Sequence, residues 1–305
     1  MIEALRTPDE RFQNLPGFPF APNYLEQASG LRMHYLDEGR WDGPTFLCLH
    51  GQPSWSYLYR KMIPVFAGVG RVVAPDLFGF GRSDKPVEEE VYGFDFHRAS
   101  LLELIDALDL RNMTLVCQDW GGILGLTLPM DRPDRFDRLI FMNTALATGE
   151  APLGPGFEAW RAFNRSQSDL DISALMSRAS PVLTKNEAAA YSAPYPDARY
   201  KAGVRRFPDL VPDRVNAPGA ELARRARRWW STEWAGQSFM AVGAQDPVLT
   251  PTMMEKLRQV IRGCPEPLIV DEAGHFVQEW GEPVANAALH AFDSARDVHF
   301  RSPQQ

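Results

Sequence analysis

An aspartate at position 119 follows a short apolar run and stands directly before Trp120 and two glycines. Residues 113–117 predict a buried strand, and the apolar run 123–130 predicts a helix. A strand, a tight turn of small residues and a helix form the arrangement that displays a nucleophile at the edge of a sheet. A carboxylate is already ionised at neutral pH, so Asp119 needs no base before it attacks carbon.

Two further residues follow later predicted strands. Asp246 comes after the strand 238–243, and His275 comes after the strand 268–270. Open α/β sheets place their functional residues at the carboxyl ends of the strands, so these side chains should meet the nucleophile. The order nucleophile, acid, histidine is that of the α/β-hydrolase fold. Asp271 is a competitor for the acid, but its place in the turn before the histidine favours a local hydrogen-bonding role.

The sequence HGQP, residues 50–53, directly follows the predicted strand 45–49. A loop in this position supplies a backbone N–H to an oxyanion hole, here from Gln52 together with the N–H of Trp120. His50 could be taken for a catalytic base. Its position beside a glycine favours a role in shaping the loop instead.

The elements that position these residues alternate between strands and helices. Patterning predicts strands at 31–38, 45–49, 71–74, 113–117, 138–142, 238–243 and 268–270, and helices at 56–66, 95–110, 252–261 and 283–295. Such alternation predicts a mainly parallel sheet covered by helices on both faces.

The alternation stops after residue 148. Residues 149–218 are rich in Pro, Ala and Ser and contain helix-like pieces without a clear buried strand. We interpret this segment as a helical cap inserted between a first core part, 1–148, and a second core part, 219–305. A loose linker is the alternative, but aromatic residues such as Tyr195 make the segment too aromatic for a linker.

Composition limits the class of protein. The 305 residues are 45% hydrophobic, enough for a large core, and their net charge of −7 argues against nucleic acid as the main partner. No segment is long and apolar enough to span a bilayer, and the N-terminus has no apolar signal core. Cys48, Cys117 and Cys264 fit buried free thiols better than a disulfide framework or a metal site. We therefore expect a cytoplasmic protein without membrane association.

Five motifs together resemble the haloalkane dehalogenases: HGQPSW at 50–55, DLFGFGRSDKP at 76–86, QDWGG at 118–122, GAQDP at 243–247 and GHFVQE at 274–279. HGxP and DWGG are individually shared with epoxide hydrolases, but the combination is more specific, and the resemblance extends over essentially the whole chain. It implies an α/β-hydrolase fold, with a mostly parallel eight-stranded sheet flanked by helices and an inserted helical cap. The placement of the acid resembles the first subfamily. Where the alternative arrangement has an acid, this chain has Asn143, which could donate a hydrogen bond.

The resemblance implies hydrolytic dehalogenation in two steps. Asp119 is expected to attack the halogen-bearing carbon and form an alkyl ester. His275, oriented by Asp246, is expected to activate the water that hydrolyses the ester. The products are an alcohol, a halide ion and a proton, and no cofactor or metal is expected. The partners are therefore a small haloalkane, water and halide, and we expect a monomer.

The leaving halide needs donors that are not also acceptors, and an indole N–H meets this requirement. Trp120 stands beside the nucleophile, and the resemblance implies Trp160 of the cap as the second donor. Ordinary packing of cap on core is the alternative for Trp160. The positions that match a substrate pocket are Phe157, Phe207, Pro208, Val248 and Leu249. Ile123 stands where a close relative is expected to have phenylalanine, a change that could open the pocket.

Other functions fit parts of this pattern. Epoxide hydrolases share the aspartate, the histidine and the acid, and two cap tyrosines protonate the ring oxygen; Tyr191, Tyr195 and Tyr200 are candidates here. Trp160 at the halide position favours dehalogenation. A fluoroacetate dehalogenase would need an arginine after the nucleophile, where this chain has Trp120. A non-catalytic binding protein of this fold usually lacks a member of the triad, and none is missing here.

Overall fold

The structure is a computed structural model that describes residues 2–300. Its strands are β1 Ala4–Leu5, β2 Asn23–Glu26, β3 Arg32–Gly39, β4 Thr45–Leu49, β5 Arg71–Pro75, β6 Lys85–Pro86, β7 Met113–Gln118, β8 Phe136–Met142, β9 Gln237–Gly243 and β10 Leu268–Val270. Its α-helices are α1 Ile63–Ala67, α2 Phe94–Ala107, α3 Trp120–Gly125, α4 Pro155–Ser166, α5 Ile172–Ala179, α6 Lys185–Tyr191, α7 Ala202–Leu210, α8 Ala220–Thr232, α9 Pro251–Val260 and α10 Gly281–Phe300.

Eight strands form one sheet in the order β10-β9-β8-β7-β4-β5-β3-β2. The six strands from β10 to β5 in this order are parallel to their neighbours, whereas β3 pairs antiparallel with β5, and β2 with β3. β1 and β6 form a separate antiparallel pair. The predicted α/β-hydrolase fold with a mostly parallel eight-stranded sheet is therefore confirmed.

The register of the central strands decides where the loops meet. Every residue of β4 and β7 is buried, as expected for parallel strands covered by helices on both faces. Leu49 at the end of β4 pairs with Cys117 near the end of β7, and Gln118 pairs with Met142 of β8. The loops after these three strands therefore leave the sheet at the same edge.

Two predicted helices are interrupted by proline. The predicted helix 56–66 is a short 3-10 helix, Ser56–Tyr59, followed by α1. The predicted helix 123–130 is wrong as well, because α3 ends at Gly125 and a 3-10 helix begins at Pro129. A proline ring inside a helix collides with the carbonyl four residues earlier, so neither Pro64 nor Pro129 allows one continuous helix.

Between β8 and β9 the chain forms helices α4 to α8 and no strand. We propose that residues 149–218, which contain α4 to α7, form a cap, and we use the word cap for these residues. Its two boundaries fall in the loops that precede α4 and α8. Residue 1 and residues 301–305, which we assigned to the core, lie outside the described residues.

A buried ionic cluster joins the cap to the core. Arg60 donates two hydrogen bonds of 2.8 Å to Glu279 and one of 2.9 Å to Glu187 of α6. Tyr191 of α6 also donates to Glu279. Removing one partner of a buried ion pair typically costs about 3–5 kcal/mol. Glu279 lies four residues after His275, so this cluster links α6 to the segment that carries the histidine.

Cys48, Cys117 and Cys264 are free and buried, as predicted. None of the helices formed by the described residues is long and apolar enough to cross a membrane.

Candidate active site

Asp119 lies in the tight turn between β7 and α3. Its backbone has φ 50° and ψ −126°. Such a conformation costs a non-glycine residue about 1–3 kcal/mol, so the surroundings must hold it. The N–H of Asp119 donates to the carbonyl of Asn143 at 2.9 Å, and its carbonyl accepts from Oγ1 of Thr144 at 2.8 Å. The segment after β8 therefore fixes the turn.

Two glycines leave room for this turn. A Cβ on Gly121 would lie 1.9 Å from the carbonyl oxygen of Leu49. A Cβ on Gly51 would lie 2.1 Å from Oδ1 of Asp119. Neither distance can accommodate a side chain, so both glycines are steric requirements of the site.

The Asp119 carboxylate is contacted on both of its oxygens. The backbone N–H of Gln52 donates to Oδ1 at 2.7 Å, and Nε2 of His275 lies 3.4 Å from Oδ2. The carboxylate side chain is 18% exposed, which leaves it accessible to a small molecule.

His275 lies between two carboxylates. Its Nδ1 is 2.7 Å from Oδ2 of Asp246, while its Nε2 faces Asp119. Burial lowers the pKa of His275, but the charge of Asp246, the charge of Asp119 and the hydrogen bonds to both raise it to about 10. Both charged carboxylates therefore favour the protonated form of the imidazole.

Asp246 is almost fully buried, and both of its oxygens accept hydrogen bonds. Oδ1 accepts from the N–H groups of Val248 at 2.8 Å and Leu249 at 3.1 Å, and Oδ2 accepts from Nδ2 of Asn143 at 2.9 Å. Burial raises the pKa of Asp246, but the charge and hydrogen bond of His275 and the two N–H groups outweigh burial and hold it below its ordinary value. Asn143 thus makes the hydrogen bond that the sequence suggested.

Two competing residues do not join the reactive group. Asp271 is exposed, and its backbone carbonyl accepts a hydrogen bond from the side chain of Gln245. His50 is fully buried, with Nδ1 2.8 Å from the carbonyl oxygen of Gly51 and Nε2 accepting from the N–H of Leu77 at 2.9 Å. Both ring nitrogens are occupied, so His50 is not available as a base.

A cavity of about 670 Å³ opens over the Asp119 carboxylate. This volume lies within the range of small-molecule sites. Its lining includes the reactive groups Asp119, Asp246 and His275 and six other residues predicted from the sequence, namely Gln52, Trp120, Phe157, Trp160, Pro208 and Val248. In the described part of the chain, no group of three or more His, Cys, Asp or Glu side chains is arranged to hold a metal ion.

Three predicted pocket residues do not line this cavity. Phe207 is fully buried and packs edge-on against Trp120, with ring centroids 4.9 Å apart. Its neighbour Pro208 does face the cavity, because successive residues of a helix point in different directions. Leu249 donates one backbone hydrogen bond to Asp246, and Ile123 is buried within α3. Ile123 therefore does not open the pocket by direct contact.

The sequence reading missed several residues of the cavity wall. Phe163 follows Phe157 and Trp160 at intervals of three, a spacing that places all three on one face of α4. This spacing could have identified Phe163 as a lining residue. Arg178 of α5 and Glu272 also line the cavity, and Arg178 lies 5.6 Å from the ring centroid of Phe163. Nothing in the local sequence marks these two charged residues.

Comparison with known proteins identifies relatives along most of the chain. The family model described as alpha/beta hydrolase fold matches residues 44–282. A protein of Psychrobacter cryohalolentis named haloalkane dehalogenase is 44% identical over 296 residues, covering 93% of this chain and 96% of that protein. A haloalkane dehalogenase of Mycolicibacterium paratuberculosis is 40% identical, covering 91% of this chain and 94% of that protein.

A solved structure is also similar to this chain. Haloalkane dehalogenase DpaA from Paraglaciecola agarilytica NO2, described as tetrameric, is 55% identical and superimposes with a TM-score of 0.92. The similarity covers 95% of this chain and 98% of that one.

Replacing Asn143 with leucine should raise the pKa of Asp246, because the charged carboxylate loses a donor. A carboxyl whose pKa is lowered on folding stabilises the protein above its unfolded pKa, and this contribution is lost as the pH falls through the folded pKa. We expect Asn143→Leu to lower the free energy of unfolding by about 1–3 kcal/mol at pH 7. The difference in unfolding free energy between wild type and Asn143→Leu should become smaller at pH values below 3.8, the ordinary pKa of Asp. Urea denaturation at several pH values measures this difference.

Asn164→Leu is the matched control. Asn164 is also buried, but it donates to the backbone carbonyl of Arg205 in the cap. The difference in unfolding free energy between Asn164→Leu and wild type should not change with pH. A pH-independent difference for Asn143→Leu as well would contradict the assigned interaction with Asp246.

Proposed function

The chain belongs to the haloalkane dehalogenases, and from this premise we propose that it hydrolyses haloalkanes to an alcohol, a halide ion and a proton through an alkyl ester on Asp119. One observation carries the proposal: an ionisable carboxylate at a cavity, with Oδ1 2.7 Å from the N–H of Gln52 and Oδ2 3.4 Å from Nε2 of His275. The backbone N–H of Gln52 is placed to stabilise an oxyanion on Oδ1. The imidazole of His275 is placed to act as the base that activates water.

In the first step, Asp119 attacks the carbon that carries the halogen, in line with the carbon–halogen bond. Oδ2 forms the new carbon–oxygen bond, and the electron pair of the broken bond leaves with the halide. We propose that the indole N–H groups of Trp120 and Trp160 receive the halide. Both side chains line the cavity, and an indole N–H donates without offering a competing acceptor.

Ester formation changes the charge around His275. The carboxylate of Asp119 becomes neutral, and its charge and hydrogen bond are among the causes that raise the pKa of His275. The pKa of His275 therefore falls, and we propose that the imidazole then releases its proton to solvent as the product proton. The histidine is thus converted into a base only after the halide has left.

In the second step, neutral His275, oriented by Asp246, takes a proton from water as its oxygen attacks the ester carbonyl carbon. The negative charge then develops on Oδ1 of Asp119, and we propose that the backbone N–H groups of Gln52 and Trp120 stabilise it. Collapse of this intermediate breaks the bond between the carbonyl carbon and the ester oxygen that carries the alkyl group. The alcohol leaves with the second proton of the water, and the carboxylate and the imidazolium are restored.

Epoxide hydrolysis by the same triad is not favoured. The two relatives described above, which match most of this chain, are named haloalkane dehalogenases, and the candidate tyrosines do not line the cavity. Tyr191 donates to Glu279, and Tyr195 donates to the carbonyl of Pro53 at 3.4 Å. No other tyrosine of the described residues lines the cavity either, so a ring oxygen would lack its proton donor. A non-catalytic role is disfavoured because the nucleophile, acid and histidine are all present.

Replacing His275 with phenylalanine should trap the ester, because alkylation needs no base whereas hydrolysis does. With 1-bromobutane, wild type should release bromide continuously, and His275→Phe should release about one equivalent and stop. Mass spectrometry should then find a butyl group on the peptide that contains Asp119. Asp119→Asn, the control, should release none. Absence of halide release by wild type across short haloalkanes, with turnover of styrene oxide, would contradict the proposed function.

Replacing Trp160 with phenylalanine keeps an aromatic ring but removes the proposed halide donor. We expect bromide to bind about tenfold more weakly, measured by its quenching of tryptophan fluorescence, because a hydrogen bond to a charged group is lost. Trp229→Phe is the control, since Trp229 of α8 packs against Trp230 and Trp234 away from the cavity. Equal quenching in wild type and Trp160→Phe would remove Trp160 from the halide site.

We also propose that the chain assembles as a tetramer, in place of the monomer expected from the sequence. The support is DpaA, a relative that is 55% identical and described as tetrameric. Light scattering on the purified protein should give a mass near four times the 34.3 kDa of one chain. A mass of one chain at micromolar concentration would contradict this assembly.

A cytoplasmic location is likewise our proposal. Cys48, Cys117 and Cys264 are all free and buried, which suits a compartment that keeps thiols reduced.

A further inference from the structure

His50 is a buried histidine that the proposed mechanism leaves without a role. It follows β4 directly, and none of its surface is exposed. Its Nε2 lies 2.9 Å from the backbone nitrogen of Leu77, and its Nδ1 lies 2.8 Å from the carbonyl oxygen of Gly51. Both nitrogens of this buried ring therefore have fixed partners.

The chemistry of the two partners determines which nitrogen carries the proton. A backbone N–H can only donate, so Nε2 accepts from Leu77. A carbonyl can only accept, so Nδ1 is protonated and donates to Gly51. Burial lowers the pKa of His50, although the charges of Asp76 and Asp119 and the contact with Gly51 act in the opposite direction. The ring therefore remains neutral in this one tautomer.

The carbonyl of Gly51 and the N–H of Gln52 belong to the same planar peptide unit. Its carbonyl accepts from Nδ1 of His50 and from Oγ of Ser54, the latter at 3.0 Å. Its N–H donates to Oδ1 of Asp119 at 2.7 Å. Hydrogen bonds to the carbonyl fix the plane of the peptide and polarise it, which strengthens donation by its N–H.

We propose that His50, assisted by Ser54, is a positioning residue for ester hydrolysis, because it orients and polarises the peptide whose N–H holds the oxyanion. This inference rests on the ester mechanism proposed above. His50 touches neither substrate nor Asp119 in this role and acts through the peptide between Gly51 and Gln52.

The proposed role affects the two chemical steps differently. During alkylation the full negative charge of Asp119 is dispersed, so a strong donor at Oδ1 stabilises the starting state at least as well as the transition state. During hydrolysis negative charge develops on the same oxygen, so the donor stabilises the transition state more than the ester. A well-positioned and polarised peptide therefore accelerates ester decay and does not accelerate ester formation.

The test is to measure both steps separately by rapid quench with 1-bromobutane. His50→Phe retains an aromatic ring without a donor and should slow ester decay about tenfold, while the rate of ester formation stays within about twofold of wild type. His50→Asn places an amide N–H near the position of Nδ1 and should restore most of the decay rate. Ser54→Ala removes the other donor and should slow decay by a smaller factor.

His97→Phe is the matched control. His97 is also fully buried, but neither of its ring nitrogens has a hydrogen-bond partner among the described residues, and its ring packs against Phe207 with centroids 4.7 Å apart. A disturbance of packing alone should change both steps together, so His97→Phe should not slow ester decay selectively.

A second measurement does not depend on any variant. Nitrogen-15 NMR of the imidazole rings should assign a proton to Nδ1 of His50 and none to Nε2. Equal slowing of both steps in His50→Phe, or a proton on Nε2, would overturn the inference. Wild type that forms no ester would overturn the proposed function instead, and the two failures are therefore distinguishable.

Discussion

A residue with a β-carbon held at φ 50° and ψ −126° must be fixed by its surroundings, and at Asp119 these come from neighbouring strand ends. The segment after β8 supplies the carbonyl of Asn143 and the hydroxyl of Thr144, and the end of β4 lies so close that residue 121 must be glycine. The turn costs about 1–3 kcal/mol and lifts the carboxylate out of the sheet toward the cavity. The contacts of the carboxylate with Gln52 and His275 depend on this placement.

The second property of the site is its charge balance. Asp246 is kept ionised by His275 and by buried donors, so its charge is constant through the proposed reaction. Of the two carboxylates, only Asp119 changes charge, becoming neutral in the ester and negative again in the product. Both carboxylates raise the pKa of His275, so loss of the Asp119 charge in the ester lowers this pKa and favours the neutral imidazole that can act as a base.

The sequence predicted the elements that physical chemistry constrains locally. β4 and β10 were predicted with their observed bounds, and the three residues of the proposed triad were placed at strand ends that the register brings together. β2 was missed because it is a short, half-exposed edge strand without alternation. Whether Phe207 or Pro208 faces the cavity depends on how α7 packs on the core, which no local pattern encodes. Arg178 and Glu272 reach the cavity for the same tertiary reason.

The central claim is that the oxygen of the product alcohol passes through Asp119. A single turnover of 1-bromobutane in water labelled with oxygen-18, with enzyme in excess, tests it most directly. In the ester mechanism the butanol takes its oxygen from the carboxylate, so the alcohol should be unlabelled and the label should be found in the peptide that contains Asp119. Labelled butanol together with an unlabelled Asp119 peptide would mean that water attacks the substrate directly, and would contradict the account.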